Sequence, residues 1–461
     1  MECPELEMLY VHRTTYHGQS VQIPSDCFRE MLRVLNLTNL YVPSLPLSLQ
    51  YLKELQTLCL DDCELGDITS LGHLSSLEVL SLSRSDVREL PKEIGQLTLL
   101  RLLDLSDCSS LEVIPPTVIS SLVKLEDLNM RDSFKDWEVE GEGSNASLSE
   151  LKHLSQQSSL EIHIQDDDAL PANLFSNKLE RFNIYIGDVW DEWHDEWDAI
   201  SSPWEDILNK TMTLNTLKLK LTKDLDESLK WLIKNSEYLS IDETEIVVVQ
   251  ELNAEDFENI IHLQLQNNVD FMAMVNKKVV FPNLQTLWVH GCDKLQFLFS
   301  FSMAKSLVQL THLMVSECKL LQEIVSSTKE DGVENISDMF FKLRVLKLAE
   351  LRDPARFTTG NYIEFPSLEE LEVKKCDNMG AFIGGKVSMR TKGTRSCKEI
   401  EQKILEEDSF HNLEGIQLTG MEIWNGPLPV EQLVFGKLKV ISVGRNCALL
   451  AKPFPPEITK S

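Results

Sequence analysis

The feature that most constrains this chain is a short pattern that keeps returning. It is an aliphatic residue, two variable residues, an aliphatic, one variable residue and a further aliphatic. It reads Leu55-x-x-Leu58-x-Leu60, Leu77-x-x-Leu80-x-Leu82, Leu100-x-x-Leu103-x-Leu105 and Leu125-x-x-Leu128-x-Met130. It returns as Leu284-x-x-Leu287-x-Val289, Leu310-x-x-Leu313-x-Val315, Leu343-x-x-Leu346-x-Leu348 and Leu368-x-x-Leu371-x-Val373. Weaker copies start at or near Leu6, Leu32, Gln157, Leu179, Leu214, Ser236, Ile260, Leu413 and Leu438. That makes about 17 units, most with periods of roughly 22–26 residues. A unit this short cannot bury its apolar face alone, so its copies must stack.

The period and the template together predict a leucine-rich-repeat horseshoe, an α/β solenoid. The alternating aliphatics form a short strand with one face turned inward, and the strands stack into a long parallel concave sheet. At about 4.8 Å per strand, such a sheet would be on the order of 80 Å long. Segments such as Glu93–Leu97 and Ser302–Leu307 predict an irregular or short-helical convex side. Three residues past each strand the chain must turn inward, and a small buriable donor suits that place. Cys63, Cys108, Cys292, Cys318 and Cys376 occupy it, with Asn268 and Asn446 in two other units. We read these cysteines as structural, because stacking lines the thiols up without His partners for a metal or redox cluster. The whole chain, residues 1–461, reads as one solenoid. Units 1–147 are regular, 148–280 irregular with an acidic Trp-rich insertion at 187–210, and 281–461 carry a basic insertion at 384–408.

A formal charge of −29 argues against nucleic acid or an anionic membrane as partner and favours a basic protein surface. No apolar run is long enough for a transmembrane segment. The start, Met1-Glu2-Cys3-Pro4-Glu5-Leu6, lacks the basic and apolar regions of a signal peptide. The ten cysteines scatter without CxxC pairs or zinc spacing, so a reduced, cytoplasmic compartment is expected. Sequons at Asn36, Asn145, Asn209 and Asn335 carry little meaning without secretion. Gly380-x-x-x-x-Gly385-Lys386 mimics a phosphate-binding loop, but Val387 stands where Ser or Thr must hold magnesium. A flexible insertion, rich in Lys386, Arg390, Lys392, Arg395 and Lys398, is the better reading. No Ser-His-Asp order, HExxH or Gly-rich elbow occurs, and no enzyme is expected.

Binding should fall on the variable positions that flank the strand aliphatics and face solvent. These include Asp104, Asn129 and Arg131 in early units, and Trp288, His290, His312, Met314, Ser316, Glu372 and Lys374 in later ones. Trp288, His290, His312 and Met314 read as an exposed aromatic and thioether cluster on adjacent strands, the kind of surface that anchors partners. Trp193 and Trp197, in the acidic insertion, are further anchors. His194 and its carboxylates could hold a metal, but no second His lies near.

Met31-Leu32-Arg33-Val34-Leu35-Asn36-Leu37, Leu90-Pro91-Lys92-Glu93-Ile94-Gly95-Gln96-Leu97 and Phe281-Pro282-Asn283-Leu284 with Leu287-Trp288-Val289-His290-Gly291-Cys292 carry a family likeness. So do Phe365-Pro366-Ser367-Leu368 and Leu371-Glu372-Val373-Lys374-Lys375-Cys376. The pattern resembles the repeat region of plant coiled-coil nucleotide-binding (NB-ARC) disease-resistance proteins, over essentially the whole chain. The resemblance implies recognition of pathogen effectors or of host proteins they modify, and restraint of a nucleotide-binding switch domain. That domain is not found upstream of Leu6, so ATP or ADP would belong to it and no cofactor to this chain. The array opens without a cap, and its first strand should expose an apolar edge. A ligase substrate adaptor or another non-catalytic scaffold is the alternative. An extracellular receptor would need a signal peptide, disulfide caps and a membrane helix.

Overall fold

The computed structural model describes residues 5–12, 31–45, 47–138, 143–175, 178–187, 214–221, 224–242, 252–267, 279–326, 340–351, 365 and 367–372. It describes residues 356–358, 373–374, 415–419 and 440–443 as backbone alone. The chain divides into two compact units, Met1–Leu232 and Ile233–Ser461. Among the described residues each copy of the template supplies one strand, 17 in all.

In the first unit the strands are β1 (Met8–His12), β2 (Val34–Thr38), β3 (Thr57–Cys59), β4 (Val79–Ser81) and β5 (Leu102–Asp104). They continue as β6 (Asp127–Met130), β7 (Ser159–Ile164), β8 (Arg181–Ile186) and β9 (Thr216–Leu219). Each pairs in parallel with the next, so strand order is chain order. In the second unit the strands are β10 (Tyr238–Asp242), β11 (His262–Gln266), β12 (Thr286–His290), β13 (His312–Ser316) and β14 (Val345–Ala349). After them come β15 (Glu370–Lys374), β16 (Gly415–Thr419) and β17 (Val440–Val443), again paired in sequence order.

The inward face of this ladder is the core. Leu35, Leu37, Leu58, Leu60, Leu80, Leu82, Leu103, Leu105, Leu128 and Met130 are wholly buried in the first unit. Leu239, Ile241, Leu287, Val289, Leu313, Leu346 and Leu348 do the same in the second. Two methyl-bearing residues per strand, alternating inward, are what the template encodes. In the second unit the layer behind them carries a phenylalanine spine. Phe257 meets Phe281 at a centroid distance of 5.5 Å, Phe299 meets Phe340 at 6.0 Å, and Phe340 stacks on Phe365 at 6.4 Å.

The strand ends with a repeated backbone reversal. The second residue past the last inward aliphatic is left-handed in unit after unit: Asn39, Asp62, Arg84, Asp107, Asp132, Asn267, Glu317, Glu350 and Gly291. Asn, Asp and Gly reach this conformation most readily. Gly291, at φ +61°, also has Asn267 Oδ1 where a Cβ would approach to 2.9 Å.

The next residue enters the core and donates a hydrogen bond to the unit before it. Cys63 Sγ donates to Leu37 O at 3.1 Å, Ser85 Oγ to Leu60 O at 2.6 Å, and Cys108 Sγ to Leu82 O at 3.0 Å. Ser85 Oγ also accepts from Cys63 N at 2.9 Å, which ties successive rungs together. In the second unit Cys292 Sγ reaches Leu265 O at 4.0 Å and turns mainly to His290 O at 3.3 Å, while Cys318 Sγ donates to Ser316 O at 3.3 Å. The structural reading of these four cysteines therefore holds. Cys376, Asn268 and Asn446 lie outside the described residues.

The return path is short-helical in part, as expected, and otherwise forms short parallel strands, Tyr41–Ser44 with Glu64–Asp67 and Phe297–Phe299 with Glu323–Val325 and Arg356–Thr358. Tight turns cover Thr69–His73, Lys92–Gln96 and Leu148–His153, and helical segments cover Val118–Ser121 and Phe301–Ser306. The buried Glu150 carboxylate stitches two of them, accepting from Thr117 N at 2.8 Å and Ser120 N at 3.0 Å. Gly72 lets adjacent turns touch, since a Cβ there would lie 2.6 Å from Glu93 O.

The rung chemistry gives a test. Ser85 performs with a hydroxyl what Cys108 performs with a thiol. Cys108→Ala, which removes one of two donors to Leu82 O and leaves the Ser85 N–H in place, should cost about 0.5–1.5 kcal/mol. Cys108→Ser should cost less, because the bond is kept. Urea unfolding midpoints measure both, and equal losses would contradict the ladder role.

Candidate functional site

The outward positions of the strands form the candidate face of each unit. On the first unit, strand register aligns Cys59, Ser81, Asp104, Asn129 and Glu161 across β3 to β7. The expected trio Asp104, Asn129 and Arg131 is brought together here, each half-buried. Asp104 Oδ1 accepts from Ser106 N at 2.9 Å, and Asn129 Oδ1 accepts from Arg131 N at 3.1 Å. Arg131 Nη2 donates to Asp107 Oδ2 at 2.9 Å, and Arg181 Nη2 to Asp127 Oδ2 at 2.8 Å. Ser81 Oγ donates to Asp61 Oδ1 at 2.5 Å. Burial raises the Glu161 carboxyl above its ordinary range against the pull of Arg131, with Asp127 adding to the rise. The half-buried Cys59 thiol is pushed up to about 11 by burial and then by Asp61 and Asp104. It is therefore a protonated thiol at neutral pH, not a nucleophile.

On the second unit the register aligns Ser240, Gln264, Trp288, Met314, Lys347 and Glu372 along the middle of the face. One row over lie Asp242, Gln266, His290, Ser316, Ala349 and the backbone of Lys374. Trp288, His290 and His312 are half-buried, as a partly open anchor surface requires. The rest of the expected exposure is not met. Met314 is 3% exposed, Ser316 5% and Glu372 0%. The cause is lateral. These strands are five residues long, and their outward side chains are large. Neighbours one strand spacing apart, Trp288 beside Met314 and Met314 beside Lys347, cover one another. In β2 and β6 the outward positions carry Asn36 and Asn129, and they stay half-open. The Lys374 side chain, Trp193 and Trp197 lie outside the described residues, as do both charged insertions except Gly187.

Two features of this face escaped sequence reasoning. Lys347 stands in the same row as Trp288 and Met314, and its Nζ lies 3.0 Å from Glu370 Oε1 and 3.3 Å from Glu372 Oε2. Its side chain is only 4% exposed, so a desolvated ion triad fills the middle of the face. Losing one member of such a group strands the other charges. The template position was readable; that a lysine there would be buried between two carboxylates was not. The second is the charge state of His290 and His312, two residues that the sequence does single out. His290 Nδ1 lies 2.9 Å from Ser316 Oγ, and His312 Nδ1 lies 2.8 Å from Thr311 Oγ1. Burial lowers both rings to about 4, and Arg344 and Lys347 add to the effect at His312. At neutral pH both imidazoles are uncharged, so the 3.9 Å approach of His290 Nε2 to Glu317 is not an ion pair.

A parallel strand ladder with one left-handed turn and one inward donor per unit defines a leucine-rich-repeat protein. Comparison with known proteins shows what it is similar to. The family model described as plant disease resistance protein RPS2-like, leucine-rich repeats, matches residues 204–319 and 259–389. A disease resistance protein of Arabidopsis thaliana is 26% identical over 375 residues, covering 76% of this chain and 33% of the relative. The chain thus spans about a third of that relative's length. Among solved structures, a leucine-rich-repeat protein of Leptospira interrogans is 19% identical, covering 75% of this chain and 72% of its own, with a TM-score of 0.43. The functional domain of InlJ from Listeria monocytogenes is 16% identical, covering 75% of this chain and 62% of its own, at a TM-score of 0.46. Over residues 204–389 this chain is therefore similar to the leucine-rich repeats of plant disease resistance proteins. Among the described residues no helix is long and apolar enough to cross a membrane.

The histidines predict a pH dependence. Their folded values lie near 4 and the ordinary value is 6.5, so the unfolded chain binds more protons between those limits. Stability held by the neutral rings is fully present above about pH 6.5 and declines as pH falls toward 4. His312→Gln should flatten the decline of the urea midpoint across that window. An unchanged slope would mean the ring is not held neutral by its surroundings.

Proposed function

We propose that this chain is the protein-recognition module of an intracellular plant immune receptor, working from the outer faces of its strands. The observation that carries the reading is where the family match falls. Residues 204–389 include β10 to β15, and so Trp288, His290 and His312. A half-buried tryptophan flanked by neutral imidazoles is an apolar anchor with polar edges, suited to docking a folded protein surface. Its partner would be a pathogen effector or a host protein modified by one. Glu372 and the adjoining Lys347 would act by setting the charge beneath the contact. The acidic first-unit face, with Asp104, Asn129 and Arg131, would contact a basic surface. In a full receptor that surface would lie on a nucleotide-binding switch domain, restrained by this chain, and ATP or ADP would bind there. Trp193 and Trp197 would add rim anchors. The cytoplasm is the compartment we assign.

The test is binding to a panel of purified pathogen effectors by biolayer interferometry. An effector bound by the wild-type chain should be bound at least tenfold more weakly by Trp288→Ala, because central aromatic anchors dominate such contacts. Val308→Ala, on the return path and 55% exposed, should leave affinity unchanged. Equal affinity for wild type and Trp288→Ala would remove this face as the recognition surface.

A further inference from the structure

On β2 to β5 the outward face is apolar where the strands begin and low in its middle. Strand register places Val34, Thr57, Val79 and Leu102 in one outward row, each half-buried. Beside it runs a row of Asn36, Cys59, Ser81 and Asp104. Asp61, Ser83 and Ser106 follow at the next outward position of their units. Ser81, Ser83 and Ser106 are buried and tied down. Ser81 Oγ donates to Asp61 Oδ1, and the Ser83 and Ser106 hydroxyls lie 2.9 Å apart. Side chains this small leave a shallow floor in front of the apolar row. Beyond the floor stands a rim of charges that are already paired, Asp62 with Arg84 and Asp107 with Arg131.

Two carboxylates on the floor differ from those of the rim. Asp61 accepts from the Ser81 hydroxyl and Asp104 from the Ser106 N–H, and among the described residues neither has a cationic partner. Burial, then Asp61 and Asp104, raise the Cys59 thiol, so both carboxylates stand near that floor residue. They lie on the same side of the apolar row, two strands apart. A cation brought to them would meet charge that no described side chain neutralises.

The dimensions select the shape of what fits. From Val79 to Ser83 the face runs about 13 Å along the strand. That is close to the width of one α-helix with its side chains, about 10–12 Å. An extended segment, about 5 Å across its backbone, would leave half of it open. A helix laid across the strands advances about 5.4 Å per turn, near the roughly 4.8 Å between strands, so one turn meets one strand. Its apolar stripe, at i, i+4, i+7 and i+11, would rest on Val34, Thr57, Val79 and Leu102 in turn. Cations two turns apart would reach Asp61 and Asp104. We propose that the outward face of β2 to β5 seats an amphipathic α-helix of a partner protein, apolar on one side and carrying Lys or Arg along the adjoining flank. This rests on the reading of the first-unit face as the contact for a basic surface, and it gives that surface a shape.

Isothermal titration calorimetry on the whole chain, with two synthetic peptides of about 15 residues, tests this. One carries Leu at the four stripe positions, Lys on the adjoining flank and Ala elsewhere. The other has the same composition with Leu and Lys alternating, which suits an extended chain. The helical probe should bind with a Kd on the order of 10–100 µM, and the alternating probe at least tenfold more weakly. Asp61→Asn with Asp104→Asn, which keeps both acceptors, should weaken the helical probe by about tenfold while circular dichroism stays that of the wild type. Glu89→Gln, at an exposed carboxylate on the return path, should change nothing. No binding of the helical probe, or an equal loss in Glu89→Gln, would overturn the proposal. Equal binding of both probes, each weakened by the paired Asp substitutions, would leave the basic contact standing and remove the helix. If those substitutions alter neither probe, the basic contact itself fails.

Discussion

Everything in this fold depends on how the backbone leaves the strand. At that point the chain turns from the sheet into the core, where an unpaired carbonyl is costly. The repeated solution is a left-handed residue followed by a small donor: Cys63, Ser85 and Cys108 reach back to Leu37, Leu60 and Leu82. Each rung satisfies the unit before it, so the stack propagates by nearest neighbours and fixes strand register as it grows. Thiols serve because they are buriable and donate weakly. Their burial holds Cys63 and Cys108 up to about 11, which keeps them chemically quiet.

With the core satisfied from inside and behind, the outward face is free to vary, and the two units use that freedom differently. In β3 to β6, short strands with small polar residues give the first unit a partly open stretch of face crossed by carboxylates and their arginine partners. Longer strands with Trp288, Met314 and Lys347 give the second a face that shields itself. A recognition surface built this way offers few anchors, each rigidly backed. Trp288 rests beside a buried methionine, and the triad of Lys347, Glu370 and Glu372 lies two and three strands on.

The strands were legible because periodicity two is a local property: even the weak copies at Gln157, Leu179 and Ser236 became β7, β8 and β10. The cysteine rungs were legible because they sit at fixed distance from that pattern. Ser85 was not picked out, although it holds the same place and makes the shortest of these bonds, because serine is common and unmarked. At the candidate site, which residues share a row followed from the template, and Asp104, Asn129 and Arg131 do meet. Which of them stay open did not follow. Met314, Ser316 and Glu372 are buried by side chains some 25 residues or more away in sequence, a separation no local pattern reports.

By itself, then, the sequence determined the unit: its inward leucines, its turn, its donor, and the number of times it repeats. These depend on backbone geometry and on residues within one period. Only the tertiary structure decided the state of the face. Exposure, a buried lysine between two carboxylates, and two histidines kept neutral are set by what the neighbouring strand presents one strand spacing away. The desolvation that fixes them exists only after stacking.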